Sequence, residues 1–514
     1  TLFRSVVKPA PEGGKKKARI VACGNFTAKD AQDELYASTG DAVTLRIMMK
    51  LASENQWDGV TLDIRTAFLN TPWEDMDVLV KPPHLLIRMK LVEEGTLWRP
   101  TKALYGFRKS PRLWGNHRDS TMRKMEVPHE GKRHRLTQLV SEPNLWRIDE
   151  VKDEDEEEEK PKGPPKALMM VYVDDLFATG PTQLLKALTE TIKKEWNTST
   201  PEWINEDPTR FLGMGISKTK GEDGLEVWAA SQQDYVKELL RRNVGEDEKK
   251  WPKRKVPISK DPPAEHQEEP KVEGVRKAQK IVGEALWLVT RTRPDMMYAL
   301  AKMASQVLHQ PQWVAESASQ LWGYMAATIH EGITFEKGPS WEGWEEQSGL
   351  AVYADASFAP SGEESHGSVI VTLRGAPLLW KSSRQSTVSL STAEAELNEL
   401  IEGLMMGESV AAILEELEPH IMKMMASDSQ AAVNICLAEG GSWRTRHLRL
   451  RAAHAKQRFT KGDWLLRHLP GEDMLADIGT KSLTSARLEK LKKGLGMKKI
   501  GKDEEKNEEP EEKT

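Results

Sequence analysis

Apolar positions recur along this chain with two different periods, and polar runs separate the groups. Residues 168–180 (LMMVYVDDLFATG) carry an apolar run on each side of a paired acidic turn, which predicts two buried strands joined as a hairpin. Immediately after, Leu184, Leu185, Leu188 and Ile192 fall at helical spacing within residues 182–196. Residues 367–382 read as two strands around an Arg374-Gly375 turn. Residues 391–417 then form a long helical pattern, and Ser391 or Thr392 ahead of Glu394 gives it a capping-type start. Strands and helices alternate throughout, so the pattern predicts a mixed α/β chain.

Four polar stretches interrupt this pattern. Residues 149–166 (DEVKDEDEEEEKPKGPPK) are low-complexity and read as a surface insertion. Residues 246–273 are charged and Pro-rich, as a linker would be. Residues 336–348 precede a new strand-like run at Leu350–Tyr353, and the chain turns polar again after about Lys493. A chain of 514 residues exceeds a single core and predicts two to four compact units.

Charge changes the picture once it is mapped. The net charge is −5, but residues 149–160 carry −7 and residues 503–514 carry −5. The remainder is therefore +7, as a phosphate-contacting surface requires. Acidic runs of this kind are expected to be solvated and disordered. Cys23 and Cys436 allow one bridge at most, which fits a reducing compartment. No apolar run approaches the roughly 18 residues of a membrane span, so no membrane partner is expected. The chain starts at Thr1-Leu2-Phe3-Arg4, without an initiator Met, and is expected to be a fragment or a processed product.

Two sets of acids carry the candidate chemistry. Asp63 closes the run Gly59-Val60-Thr61-Leu62, and Asp174-Asp175 sit at the hairpin tip. Asp is disfavoured in strands, and carboxylates at the ends of apolar strands are costly unless they meet a cation. Three of them on neighbouring strand ends make an all-oxygen site suited to magnesium. In the last third, Asp355 follows the strand Ala351-Val352-Tyr353-Ala354, Glu396 lies on the 391–417 helix, Asp428 just past the apolar run 421–426, and Asp477 at the start of a last helical segment. Carboxylates of this kind meeting at one point would suit two ions that activate water. Between them, residues 444–461 carry Arg444, Arg446, Arg449, Arg451, Lys456, Arg458 and Lys461 with no acid, a natural phosphate track.

The surrounding motifs resemble the Pol polyprotein of copia-type retrotransposons. KARIVACGNF (17–26) resembles that family's KARLVARGF, TLDIRTAFLN (61–70) its DVKTAFLNG, and LYGFRKSPRLW (104–114) its LYGLKQAPRAW. YVDD (172–175) resembles the reverse transcriptase metal hairpin, FLGMGI (211–216) resembles FLGIEI, and LVTRTRPDMMYAL (288–300) resembles LTxTRPDIxYAV. Further on, YADASFA (353–359), LLWKSSRQSTVSLSTAEAELNEL (378–400), SDSQAAVNI (427–435), RTRHLRLRAAHAKQRF (444–459) and LADIGTKSL (475–483) resemble the family's ribonuclease H motifs. The chain departs from the pattern at Cys23, Thr71 and Arg108-Lys109-Ser110.

The resemblance implies an α+β / α/β multidomain fold, a right-hand polymerase followed by a ribonuclease H-like domain. Fingers and palm would span 1–245, with the insertion at 149–166. A linker at 246–273, a thumb or connection at 274–345, a ribonuclease H domain at 349–490 and a disordered charged tail at 491–514 would follow. It implies RNA-directed DNA polymerase and ribonuclease H activity, with two Mg²⁺ ions per site, Mn²⁺ being the substitute. By resemblance Asp63, Asp174 and Asp175 would bind one pair, and Asp355, Glu396, Asp428 and Asp477 the other; Glu394 is the neighbouring alternative to Glu396. Lys17 and Arg19 would meet the incoming triphosphate, Phe68 the deoxyribose, and Tyr105 and Gly106 the nucleotide or template. Phe211, Leu212 and Gly213 would grip the primer. Arg444, Arg446, Arg449, Arg451, Lys456 and Arg458 would track the hybrid. Partners implied are an RNA template, a DNA primer, an RNA–DNA hybrid and deoxynucleotides, in a cytoplasmic virus-like particle or in the nucleus. The polyprotein's capsid, protease and integrase motifs do not occur in this sequence. The rival reading is a decayed or co-opted remnant that binds nucleic acid without catalysis.

Overall fold

The computed structural model describes residues 2–8, 15–24, 40–73, 78–151, 163–259, 262, 270–336, 349–360, 362, 364–437 and 449–501. The chain divides into two compact units, one of Thr1–Asp41 with Asp58–Glu202 and one of Ala42–Trp57 with Trp203–Thr514. The class is the expected one, mixed α and β built on several separate sheets.

The first unit is built on an antiparallel sheet. Its strands run side by side as Glu126–His129, Lys132–Gln138, Leu145–Glu150, Ala167–Tyr172, Asp175–Gly180 and Asp58–Asp63. The two innermost strands of the predicted hairpin, Ala167–Tyr172 and Asp175–Gly180, are almost wholly buried. The Thr182–Glu195 helix follows and buries Leu184, Leu185, Leu188 and Ile192, as its spacing predicts. Each such side chain contributes about 1.5–3 kcal/mol on leaving water. A ribbon of Leu2–Lys8 and Lys15–Val21 ends against the 105–106 loop, where the Ala22 amide donates to the Tyr105 carbonyl at 2.7 Å and Gly24 to Gly106 at 3.2 Å. Gly106 has φ +94° and a Cβ there would meet the Ala22 carbonyl at 2.0 Å, so glycine is required twice over.

The second unit holds two sheets. In one, Thr209–Phe211, Met214–Lys220, Glu226–Ser231, Glu331–Thr334 and Met497–Lys499 are consecutive neighbours. In the other the order is Ala376–Arg384, His366–Leu373, Leu350–Ser357, Lys423–Ser427, Leu465–His468. Its first three strands are antiparallel and the last two parallel. The Thr392–Leu417 helix lies on this sheet and buries Leu397, Leu400, Leu404 and Leu414.

Three expected boundaries differ from what is observed. The Ala42–Glu54 helix, expected with fingers and palm, lies in the second unit. There Arg46, 2% exposed, donates to the carbonyls of Leu378, Thr290 and Arg291 and stacks on Trp380 at 4.0 Å. A buried cation fixed by three carbonyls and an indole is costly to remove from its surroundings, so the helix stays with them. The expected linker is partly folded: Trp251 is buried, and Arg254 donates its amide to Gly323 at 3.0 Å. Finally, residues expected in a disordered tail form the end of the Ser485–Gly494 helix and the strand Met497–Lys499, which pairs with Glu331–Ile333. Met497 and Ile500 are buried, which repays ordering this segment despite its charge. Residues 152–162 of the acidic insertion and 502–514 of the tail lie outside the described residues.

Candidate active sites

The first site follows from strand register. Asp58–Asp63 pairs antiparallel with Asp175–Gly180 so that Asp63 faces Asp175, and the hairpin sets Asp175 opposite Tyr172. Oxygens of Asp63, Asp174 and Asp175 lie within 4.8 Å of one another. The hairpin tip needs Val173 at φ 59°, a conformation that a β-branched residue rarely adopts. Two side chains hold it there: Trp114 Nε1 donates to the Val173 carbonyl at 2.8 Å, and Arg118 Nη1 to the same oxygen at 3.4 Å. The Ile64 amide donates to the Asp174 carbonyl at 2.8 Å, and the Asp63 amide to Ser199 Oγ at 3.0 Å. Burial, then Asp174 and Asp63, push the Asp175 carboxyl up to about 6.

The predicted nucleotide residues gather beside these acids. The Phe68 and Tyr105 rings stand 4.7 Å apart at 53°, and the Arg19 guanidinium lies 4.9 Å from the Tyr105 ring. Burial raises the Tyr105 hydroxyl above its ordinary range, and the charge of Asp174 adds to it. Lys17 lies in the Lys15–Val21 strand opposite Val6, but its side chain lies outside the described residues. Sequence pattern does not single out Trp114 and Arg118 for holding the hairpin: Trp114 closes the LYGFRKSPRLW motif, whereas nothing in the local pattern marks Arg118.

Phe211, Leu212 and Gly213 form a separate hairpin in the second unit. Leu212 and Gly213 both have positive φ, 48° and 76°, as a two-residue turn of the primed type requires. Gly213 packs so closely on Trp287 that a Cβ would lie 2.5 Å from its ring. The Arg291 guanidinium lies over the Trp287 ring, 3.7 Å from its centroid.

The second site is deeper. Asp355 and Glu396 are 3% and 5% exposed, and their oxygens lie with those of Asp428 within 4.8 Å. Parallel pairing of Tyr353 with Ala426 brings the ends carrying Asp355 and Asp428 together. Helical phase separates the two glutamates. The Glu394 amide donates to Ser391 Oγ at 3.2 Å, and the Leu390 amide, one residue before that cap, donates to Glu394 Oε2 at 2.8 Å. Glu394 thus caps the helix and Glu396 faces the cluster. Burial, then Asp355 and Asp428, push Glu396 up to about 9. Burial lifts Asp355 to about 6 against the opposing pull of Lys481. Thr480 Oγ1 donates to Asp355 Oδ2.

Asp477 stands next to this cluster without joining the three. Lys481 Nζ lies 2.6 Å from its Oδ1 and Arg487 Nη2 2.9 Å from its Oδ2. Of the basic track, Arg444 and Arg446 and the side chains of Arg449 and Arg451 lie outside the described residues. Lys456 is half-buried, and Arg458 pairs with Glu408 at 2.6 Å and with Asp463 at 3.6 Å.

Both clusters fit a hard divalent cation. Their donors are all carboxylate oxygens, and Glu396 Oε2 is buried without a hydrogen-bond partner among the described residues. Carboxylates this close, with pKa values raised by burial and by one another, are relieved by an ion in their midst.

Residues 6–137 match the profile of the family described as reverse transcriptase (RNA-dependent DNA polymerase). The chain is similar to the Retrovirus-related Pol polyprotein from transposon RE2 of Arabidopsis thaliana, 25% identical over 94% of this chain and 31% of that protein. It is also similar to the Truncated transposon Ty1-A Gag-Pol polyprotein of Saccharomyces cerevisiae, 23% identical over 91% of this chain and 37% of that one. The chain thus spans about a third of the length of these relatives. Among solved structures, the foamy viral protease-reverse transcriptase in complex with RNA/DNA hybrid aligns with 94% of this chain and 51% of its own, at 12% identity and TM-score 0.45. The same protein's dRH form in complex with ds DNA aligns with 91% and 65%, at 12% identity and TM-score 0.48.

Proposed function

We propose that this chain, which carries a reverse transcriptase domain and is homologous over most of its length to copia-type Pol polyproteins, copies RNA into DNA at its first carboxylate cluster and hydrolyses the RNA strand of the hybrid at its second. The observation that carries the reading is the meeting of Asp63, Asp174 and Asp175, from motifs more than a hundred positions apart, within 4.8 Å. Sequence decay would leave no reason for three mutually repelling carboxylates to stay together.

In this reading the residues divide the work. Asp63, Asp174 and Asp175 would hold two divalent cations, Mg²⁺ or its substitute Mn²⁺. Bound ions of this kind activate a hydroxyl and stabilise the charge of a leaving group. Phe68, braced by Tyr105, offers a flat apolar wall for the deoxyribose and leaves no polar partner for a 2′-hydroxyl. Arg19, stacked on Tyr105, is placed to bind the triphosphate as a fork, with Lys17 as a point charge. Gly106 lets the backbone approach the nucleotide or template, and the Phe211-Leu212-Gly213 turn would receive the primer end. At the second cluster Asp355, Glu396 and Asp428 would hold the hydrolytic ion, which would supply an activated water. The basic stretch from Arg444 to Arg458 would follow the hybrid backbone. The nucleic-acid partners belong to this same proposal.

Primer extension on poly(rA)/oligo(dT) with Mg²⁺ tests the first half. Extension by the native chain, lost in Asp174→Asn, is expected. Salt-sensitive binding with extension by neither would instead favour a remnant that only binds nucleic acid. Cleavage of an RNA–DNA hybrid, lost in Asp355→Asn, tests the second half.

A further inference from the structure

Asp477 is the acid of the second set whose two oxygens each lie in an ion pair, Oδ1 being buried and without a hydrogen bond among the described residues. Arg487 holds Oδ2 at 2.9 Å and is itself fixed by the carbonyls of Gly471 and Glu472, so its charge is committed to that turn. Lys481 holds Oδ1 at 2.6 Å, yet its side chain is 49% exposed and among the described residues Asp477 is its ion-pair partner. The neighbouring Thr480 hydroxyl donates to Asp355 Oδ2, so Lys481 stands beside the cluster. A single tethered positive charge there relieves part of the repulsion that a divalent ion would otherwise relieve.

We propose that Lys481 is a tethered cation occupying the position of a second ion, so that the free protein takes one divalent ion at Asp355, Glu396 and Asp428 and admits another only when the Lys481–Asp477 pair opens. This rests on reading that cluster as a metal centre. While it stays paired with Lys481 and Arg487, the Asp477 carboxylate is already neutralised by two cations and offers an ion little net charge. The half-exposed four-carbon stem of Lys481 gives the ammonium a route to solvent when a divalent ion competes for Asp477. The second-ion affinity is then set by a residue of the chain and not by the carboxylates alone.

The test is Mn²⁺ titration of the full chain, reading the free aqueous ion by electron paramagnetic resonance. Asp174→Asn with Asp175→Asn forms the background, so that the first cluster does not contribute. Native Lys481 is expected to give one tight ion. Lys481→Met, of similar length without charge, should bind a second ion about tenfold more tightly or better, the size of effect that removing a close like charge produces. Lys481→Arg should keep the one-ion behaviour and show that the charge, not the fold, is responsible. Second-ion binding that is unchanged or weaker in Lys481→Met overturns the proposal, as does a second tight ion in Lys481→Arg. Asp355→Asn in the same background separates the two readings. If it leaves Mn²⁺ binding untouched, the cluster is not a metal centre and the underlying reading fails irrespective of Lys481.

Discussion

The two carboxylate clusters hold three acids each at similar spacing, yet they are built in opposite ways. The first sits on the ends of adjacent antiparallel strands, with Asp63 and Asp175 exposed and Asp174 half-buried. The second draws on a strand, a helix and the residue after another strand, with Asp355 and Glu396 buried. Electrostatics follow burial. In the first, Asp175 rises to about 6, while in the second Glu396 rises to about 9 and Asp355 to about 6. Water screens part of the repulsion at the hairpin tip, whereas the buried cluster must be neutralised by protons, by Lys481 or by metal. The comparison teaches that equal ligand sets have unequal demand for cations when their solvent access differs.

The largest effect expected is a clean separation of the two. Asp174→Asn should lower primer extension by roughly 10³-fold or more, since metal-ion charge stabilisation is worth several kcal/mol. Hybrid cleavage should persist, and Asp355→Asn should do the reverse. Loss of both activities in either variant, with the fold intact by circular dichroism, would break the picture of two independent clusters. Next in size, Phe68→Ala should weaken the preference for deoxynucleotides over ribonucleotides by about 10–100-fold, as measured by single-nucleotide incorporation. Unchanged selectivity would remove Phe68 from the sugar pocket.

A pH experiment sharpens the contrast in burial. Glu396 has a folded pKa of about 9 against 4.5 for an exposed Glu, so the folded chain binds the extra proton. Its neutral form favours folding below about pH 4.5, and that stability is lost as pH rises toward 9. Metal-free protein should therefore melt at progressively lower temperature from pH 5 to pH 9. Mg²⁺ should restore most of the loss, and Glu396→Gln should flatten the slope. Equal slopes in native protein and Glu396→Gln would place the titration elsewhere. The smallest effect is expected from Trp114→Phe, which removes the hydrogen bond to the Val173 carbonyl and should cost about 1 kcal/mol. Because that bond holds the hairpin tip, extension should slow while hybrid cleavage stays unchanged in a paired assay.

Much of each site could be read along the chain because its determinants are local. The apolar runs around Asp174-Asp175 predict the hairpin, and the Leu184–Ile192 spacing predicts the helix behind it. Ser391 ahead of Glu394 predicts the capping-type start that is found, with the Ser391 hydroxyl on the Glu394 amide and Glu394 reaching back to the Leu390 amide. Periods of two and 3.6 residues are properties of neighbours in sequence, so composition and order suffice to reveal them. The choice of Glu396 over Glu394 came from motif alignment, and it is helix phase against the Leu350–Ser357 strand that turns Glu396 toward Asp355.

Other features depended on partners far away in sequence. The Ala42–Glu54 helix reads as any amphipathic helix, and only the carbonyls of Leu378, Thr290 and Arg291 around Arg46 assign it to the second unit. The Met497–Lys499 strand hides in a charged tail and is fixed by pairing with Glu331–Ile333. Asp477 looked equivalent to the other acids until Lys481 and Arg487 were seen on its oxygens. The amino-acid order by itself determined the hairpin at 168–180, the helices at 182–196 and 391–417, and the acids that stand at the tip of the first and on the last. Tertiary structure decided which charges are buried together, because desolvation and Coulomb energy depend on distances that the order of residues does not contain.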